Sequence, residues 1–182
     1  VGASVTSPPV AVIIGLIAAI AVTIALGLGL DKVVYKPMRD SEGISLLIAS
    51  IGVAFILRYL AALIFGTGRR GVTAASEIPS MNVLGVRVNA HQLTILVVAV
   101  VVMLAIHLLL QRTKIGKAMR AMADNRDLAR ITGIPTERMI TATWVLGSGL
   151  AGASGYMLVL TRGTLGFNDG YLLLLLIFAA VI

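Results

Sequence analysis

The chain has 182 residues, of which 58% are hydrophobic and 13% are charged, and its mean hydropathy is +1.00. A soluble domain has about 45–50% apolar and about 25% charged residues, so the composition excludes an ordinary soluble globular protein and indicates a multi-pass membrane protein. The net charge of +7 indicates loops near anionic lipid headgroups rather than a nucleic-acid partner. The absence of cysteine excludes disulfides and thiolate metal sites.

Four apolar segments are long enough to cross a hydrocarbon core of about 30 Å as helices. A fifth apolar run starts at Tyr171 and has 12 residues, fewer than the roughly 20 that a span needs, so we expect the sequence to be a fragment. The predicted fold is an all-α, polytopic transmembrane helix bundle, with four complete spans and a truncated fifth, in one domain over residues 1–182. The predicted spans are 10–30, 44–65, 93–110, 139–160 and 171–182.

The distribution of Lys and Arg between the loops predicts the orientation of the bundle. Loops 31–43 and 111–138 carry ten of these residues, whereas loops 1–9, 66–92 and 161–170 carry four. Basic loops stay on the cytoplasmic side of a membrane. We therefore expect loops 31–43 and 111–138 to be cytoplasmic, in a multi-pass protein of the cell (inner or plasma) membrane.

The external loop 66–92 is long for a connection between helices. Residues Met81–Val88 alternate apolar and polar on either side of Leu84-Gly85, which predicts a short β-hairpin. Two interpretations are open. The hairpin either docks an external partner or closes the outer end of the bundle as a lid.

Arg58 is the one full charge inside a predicted span, seven residues from its outer end. A charge at the bilayer centre costs about 2.5–3.5 kcal/mol on insertion scales. Arg58 therefore either faces a polar pathway in the bundle, forms an internal hydrogen bond or snorkels outward.

Three small residues, Gly147, Ala151 and Gly155, recur at every fourth position of the fourth span. Such a stripe lets a second helix approach closely, so we predict helix packing here in preference to a substrate groove. The same region contains a G-x-G-x-x-G string at 147–152, and another lies at 66–71. Neither follows a strand, so neither predicts a nucleotide site.

The basic segment 111–138 reads as a short amphipathic helix, a break at Gly133 with Pro135 beyond it, and a new helix that enters the membrane. One interpretation is a helix that lies on the anionic inner leaflet. The other is a rigid helical projection that a cytoplasmic partner binds, so that the movement of the partner is transmitted to the bundle.

The residues of this segment resemble a known family. The strings T-K-I-G-K-A-M-R-A, A-D-N-R-D-L-A-R-I-T-G-I and W-V-L-G-S-G-L-A-G-A-S-G are similar to the H-type permease subunits of branched-chain amino acid ABC importers. Tyr35-Lys-Pro-Met-Arg39 and Leu47-Ile-Ala-Ser-Ile-Gly52 match the same family. The resemblance covers roughly residues 30–178 and is most specific at 113–155.

This resemblance implies a permease that works by alternating access, coupled through a cytoplasmic coupling helix to separate ABC ATPase subunits. The chain itself would be no enzyme and would need no cofactor or metal. A second permease subunit and an extracytoplasmic solute-binding protein are the further implied partners. Gly133 would provide the sharp turn after the coupling helix. The implied ATPase-coupling residues are Ala123, Asp124, Asn125, Arg126, Ala129, Gly133 and Ile134.

Other functions stay open from the sequence alone. An ATP-independent secondary transporter or channel is the main alternative, although ion-coupled carriers usually place acidic residues in their spans and these spans contain none. A membrane enzyme built around Ser148 is a third hypothesis. The resemblance implies branched-chain amino acids as the solute, and urea and short amides, which related permeases carry, stay open as alternatives.

Overall fold

The computed structural model describes residues 8–39, 41–71, 80–83 and 86–181, and this part of the chain forms mainly α-helices joined by short connections. A π-helical turn, Asp31–Tyr35, continues the first helix. The helices are α1 (Pro8–Leu30), α2 (Gly43–Phe65), α3 (Ala90–Arg112), α4 (Lys114–Asp124), α5 (Arg126–Ile131), α6 (Thr136–Arg162) and α7 (Asp169–Val181). The strands are β1 (Arg70–Gly71), β2 (Ser80–Val83), β3 (Val86–Asn89) and β4 (Thr164–Leu165).

Four helices of the described chain are long and apolar enough to cross a membrane: α1 with its π-helical turn, α2, α3 and α6. Each of the four complete spans predicted from the sequence lies inside one of these helices. Exposed large apolar side chains are numerous on α1, α2 and α3, as lipid contact requires, whereas α6 exposes Leu150 alone among its large apolar residues. The predicted all-α, polytopic membrane bundle is confirmed.

Helices α1 and α6 run antiparallel and pack closely because glycines stand where their backbones meet. A Cβ atom on Gly152 would lie 2.2 Å from Oγ1 of Thr23 and 3.0 Å from the carbonyl oxygen of Ala19. Near the other end of the interface, a Cβ on Gly27 would lie 1.9 Å from Oγ of Ser148. Any side chain at either glycine would push the two helices apart.

The predicted stripe of Gly147, Ala151 and Gly155 lies on the neighbouring row of α6. No described atom lies within 4 Å of a Cβ built on Gly147 or Gly155, and Ala151 is exposed. The contact with α1 is made one position along, at Gly152. Packing of another helix on the Gly147 row stays a prediction.

Two strand pairs lie outside the helices. β2 pairs with β3 in antiparallel register, with Val83 opposite Val86, so the predicted hairpin strands are present, while their turn at 84–85 lies outside the described residues. β1 pairs with β4, which joins the segment after α2 to the segment after α6 at one end of the bundle.

Candidate functional site

The basic segment folds as a helical hairpin, α4–α5, whose first corner is fixed by Thr113 and Gly116. Oγ1 of Thr113 caps α4 by accepting a hydrogen bond from the Gly116 N–H at 3.0 Å. A Cβ on Gly116 would lie 2.4 Å from the carbonyl oxygens of Leu109 and Leu110. Glycine therefore lets α4 fold back tightly on the end of α3.

The second corner of the hairpin is set by Asn125. Its extended backbone, with φ of −154°, interrupts the helix after Asp124. Its side-chain Oδ1 then accepts a hydrogen bond from the Leu128 N–H at 3.0 Å and caps α5. One residue thus ends α4 and begins α5, which fixes the direction of the short second helix.

The third corner is the predicted break at Gly133, and it is present. Gly133 has a left-handed φ of +84°. The Ile134 N–H donates to the carbonyl oxygen of Ala129 at 3.0 Å, and the Gly133 N–H donates to that of Arg130 at 3.2 Å. These two bonds form a Schellman cap, a helix ending that favours glycine at the left-handed position. The chain then enters α6 at Thr136, which is buried.

The outer face of α5 carries two exposed apolar side chains. Leu128 is 59% exposed and Ile131 is 83% exposed, whereas Ala129 between them is 3% exposed. Positions three apart share a helix face. Leu128 and Ile131 therefore form an apolar pair that the described part of the chain leaves uncovered.

The predicted coupling residues do not all face outward. Ala123, Asp124, Asn125, Arg126 and Gly133 are exposed, Ile134 is half-buried, and Ala129 is buried against the rest of the chain. Sequence reasoning missed Leu128 and Ile131. Their three-residue spacing was visible, but a helix of six residues is too short for periodicity to show which face is free.

A charge cluster links the exit of the hairpin to α1 and to the connection before α2. Nη2 of Arg39 donates to both carboxylate oxygens of Asp31, at 2.9 and 3.1 Å, and Nη1 donates to Oε1 of Glu137. Nζ of Lys36 lies 3.6 Å from Oε2 of Glu137. Asp31 is only 7% exposed, so the cluster holds a buried carboxylate in place. We call these four residues the Arg39 cluster.

The charge state of Arg39 follows from this setting. Partial burial lowers the pKa of its guanidinium, but the hydrogen bonds and charges of Asp31 and Glu137 outweigh burial and raise the pKa above its ordinary value. Arg39 therefore stays charged. Sequence reasoning missed the cluster because Arg39 and Glu137 are 98 residues apart.

Tyr35 reinforces the same junction. Its hydroxyl donates to Oγ of Ser50 on α2 at 3.0 Å, and its ring centroid lies 5.0 Å from that of Trp144 on α6. The π-helical turn therefore contacts both α2 and α6. Such turns are often found at functional positions of helices.

The opposite end of the bundle contains a cavity of about 440 Å³ between α2 and the segment that follows α6. Arg58 lies in its wall and donates to Oδ1 of Asn168. The guanidinium carbon lies 4.6 Å from the ring centroid of Phe167 and 4.9 Å from that of Tyr171. Of the fates predicted for Arg58, the internal hydrogen bond is present. Its role in a pathway stays a prediction.

The positive charge of Arg58 has no carboxylate partner within the described part of the chain. Asp169, which directly follows the Arg58 partner Asn168, pairs with Arg162 at 3.0 Å and accepts from the Gly166 N–H at 2.8 Å. Nε of Arg58 is buried and has no hydrogen-bond partner among the described residues.

Comparison with known proteins decides the family. Residues 1–182 match the model described as branched-chain amino acid transport system / permease component. The chain belongs to this permease family. The resemblance noted in the sequence is thereby confirmed. The chain is therefore part of a multi-pass membrane protein of this permease family.

Individual relatives agree with this assignment. The chain is 29% identical over 164 residues to the high-affinity branched-chain amino acid transport system permease protein LivH of Escherichia coli K12, which covers 87% of this chain and 53% of the relative. It is 28% identical over 174 residues to the corresponding protein BraD of Pseudomonas aeruginosa, covering 91% and 55%. The chain thus spans about half the length of the curated relatives it matches. No solved structure matches it significantly.

Proposed function

We propose that the full-length protein is the membrane-spanning permease of an ATP-driven ABC importer for branched-chain amino acids, located in the inner membrane. It works by alternating access, and ATP is hydrolysed in separate ATPase subunits. A second permease subunit completes the pathway, and an extracytoplasmic binding protein delivers the solute. In this arrangement loops 31–43 and 111–138 face the cytoplasm and loop 66–92 faces outward. The relatives LivH and BraD, named for high-affinity branched-chain amino acid transport, support the solute class.

The observation that carries the coupling role is the exposed pair of Leu128 and Ile131 on the capped hairpin. Burial of such a side chain under a partner contributes about 1.5–3 kcal/mol. The caps at Thr113, Asn125 and Gly133 hold the helix that presents them. In this proposal the exposed residues around the pair, Ala123, Asp124, Asn125, Arg126 and Gly133, contact the ATPase together with Ile134, and buried Ala129 positions α5.

The Arg39 cluster supplies the path by which a movement of the hairpin reaches the bundle. Glu137 lies in the first turn of α6, directly after the hairpin, and binds Arg39, which also binds Asp31 in the π-helical turn that continues α1. Helices α1 and α6 pack closely at Gly27 and Gly152, where an added Cβ would meet atoms of the other helix. A push on α5 therefore moves the α1–α6 pair as one unit.

The test is co-purification of the tagged full-length protein from its own host in mild detergent, followed by uptake assays in proteoliposomes. We expect ATPase subunits to be retained by the wild type and lost from the double variant Leu128→Ser/Ile131→Ser. The matched control is Ile115→Ser, since Ile115 is an exposed apolar residue of α4 on the same hairpin.

Uptake distinguishes the alternatives. ATP-dependent import of leucine, with no import of urea or acetamide, supports the proposal. Uptake that proceeds without ATP contradicts it and favours a secondary transporter or channel. Retention of the ATPases by the double variant contradicts the docking role of Leu128 and Ile131 and leaves the lipid surface as the neighbour of α5.

A further inference from the structure

The charge of Arg58 needs a partner that the described chain does not supply. Arg58 lies seven residues before the end of α2, about 10 Å of helix from that end. Charged side chains within membrane spans pair with an opposite charge or face a cavity. Arg58 lines a cavity, and no described carboxylate neutralises it. An anionic group of a ligand would complete the site.

The Arg58 guanidinium is held in a fixed orientation in which it can bind an anionic group. The Asn168 amide oxygen accepts one of its N–H groups, and the rings of Phe167 and Tyr171 lie against it at cation–π distances. These contacts fix its orientation without cancelling its charge. A planar guanidinium in a fixed position binds a carboxylate through charge-assisted hydrogen bonds at a low entropic cost.

The rest of the cavity suits an aliphatic group. Its wall beside Arg58 is formed by Leu57 and Ala61 of α2, by Leu174 of α7 and by Leu165 of β4. A cavity with apolar walls and one charged group orients a small amphiphilic ligand, with its charged end at the cation and its apolar end against the wall.

We propose that the Arg58 cavity is a substrate subsite in which the Arg58 guanidinium binds the α-carboxylate of an aliphatic amino acid whose side chain lies against the apolar wall. This assignment rests on the proposed function, because it takes the solute to be a branched-chain amino acid. It adds the group of this chain that recognises the carboxylate.

The experiment measures binding of radiolabelled leucine to the purified full-length assembly in nanodiscs, without the binding protein, so that the specificity of the binding protein does not enter. Competitors are leucinamide, which lacks the carboxylate, and 4-methylpentanoate, which lacks the ammonium group. We expect 4-methylpentanoate to compete and leucinamide to fail. Arg58→Gln should raise the Kd for leucine about ten- to a hundredfold, as expected for loss of charge-assisted hydrogen bonds.

Two further variants separate recognition from folding. Arg58→Lys keeps the charge but loses the planar fork, so its Kd should fall between those of the wild type and Arg58→Gln. Arg69→Gln is the matched control, because it removes an exposed positive charge at the same end of the bundle outside the cavity wall. Its Kd should equal that of the wild type. Size-exclusion profiles and ATPase content confirm that each variant is assembled.

Several outcomes would overturn the assignment. Wild-type affinity in an assembled Arg58→Gln variant, or equal competition by leucinamide, removes the carboxylate role. A lipid phosphate is the competing anion, so nanodiscs of neutral and anionic lipid are compared. If Arg58→Gln changes only the difference in leucine binding between neutral and anionic nanodiscs, Arg58 binds a lipid headgroup instead of the ligand carboxylate.

The proposed function is tested separately by ATP-driven leucine uptake with the binding protein present. If the wild type imports leucine and the Arg58→Gln variant binds leucine normally, the subsite proposal is contradicted and the proposed function is not. If the wild type neither imports nor binds leucine, both the proposed function and the subsite proposal are contradicted.

Discussion

Two arginines at opposite ends of the bundle are stabilised in different ways. Arg39 binds two carboxylates, Asp31 and Glu137, which come from two different parts of the chain. Arg58 is held by the neutral amide of Asn168 and by aromatic rings, with no described carboxylate beside it. Both side chains are fixed, but only Arg39 is neutralised by the described chain.

The difference separates two uses of a charge at the edge of a membrane. A neutralised cation joins segments, since removal of either partner leaves a buried charge unpaired. An oriented cation without a counter-charge keeps its attraction for a ligand. We therefore propose mechanical linkage for the Arg39 end and recognition for the Arg58 end, and substitutions that change the surroundings of each arginine test both proposals.

The largest expected effect comes from removing the buried partner of Arg39. Asp31→Asn leaves the guanidinium without its buried carboxylate partner and should lower the free energy of unfolding by about 3 kcal/mol. Thermal unfolding of the full-length assembly in detergent measures the change. Glu42→Gln is the control, because Glu42 is an exposed acid at the same end of the bundle.

A second substitution decides whether this loss reflects the unpaired charge. Asp31→Asn combined with Arg39→Met removes both charges and should recover most of the lost stability. If the double variant is as unstable as Asp31→Asn alone, the pair does not have the linking role assigned to it.

The next largest effect concerns the helical hairpin α4–α5, which adjoins the Arg39 cluster. Gly133→Val places a β-branched residue at a φ of +84°, a strain of about 1–3 kcal/mol that should displace α5. We expect the variant to insert in the membrane but to lose ATP-driven uptake. Gly133→Asn should retain most activity, since asparagine tolerates the left-handed conformation. Normal uptake by Gly133→Val would contradict the coupling turn.

The sequence predicted the features that depend on local chemistry. Apolar runs of sufficient length predicted the spans, because the bilayer requires such lengths of any helix that crosses it. Gly133 followed by Pro135 predicted the break, because a left-handed helix ending favours glycine. Alternation on both sides of Leu84-Gly85 predicted the hairpin strands.

The features that sequence reasoning missed depend on long-range contacts or on which face of a helix its neighbour occupies. Arg39 and Glu137 meet only because α1 and α6 pack antiparallel. In α6, Gly152 and Gly147 belong to two small-residue rows, and no pattern within one helix shows which row its neighbour occupies. The contacts of Arg58 likewise join α2 to Phe167 and Asn168, which lie more than 100 residues later in the chain.

A third prediction gives Arg58 the surroundings of Arg39. Asn168→Asp places a carboxylate where the amide oxygen now accepts the guanidinium N–H, with almost no change in shape. The ion pair should leave stability unchanged or slightly higher but should weaken leucine binding roughly tenfold, because the ligand must now displace a bound carboxylate. Scintillation proximity binding in nanodiscs measures the affinity. Unchanged affinity would show that the charge of Arg58 is not used by the ligand.

The smallest expected effect tests the exposed half of the Arg39 cluster. Glu137 is exposed, and exposed ion pairs contribute little to stability because water and salt screen them. Glu137→Gln should therefore leave the melting temperature within error of the wild type while it loosens the contact between α6 and Arg39. If this contact transmits movement, the ratio of ATP hydrolysed to leucine imported should rise severalfold, without loss of ATPase binding. An unchanged ratio would limit the linkage to Asp31 and Arg39 and would leave the α1–α6 interface as the path of coupling.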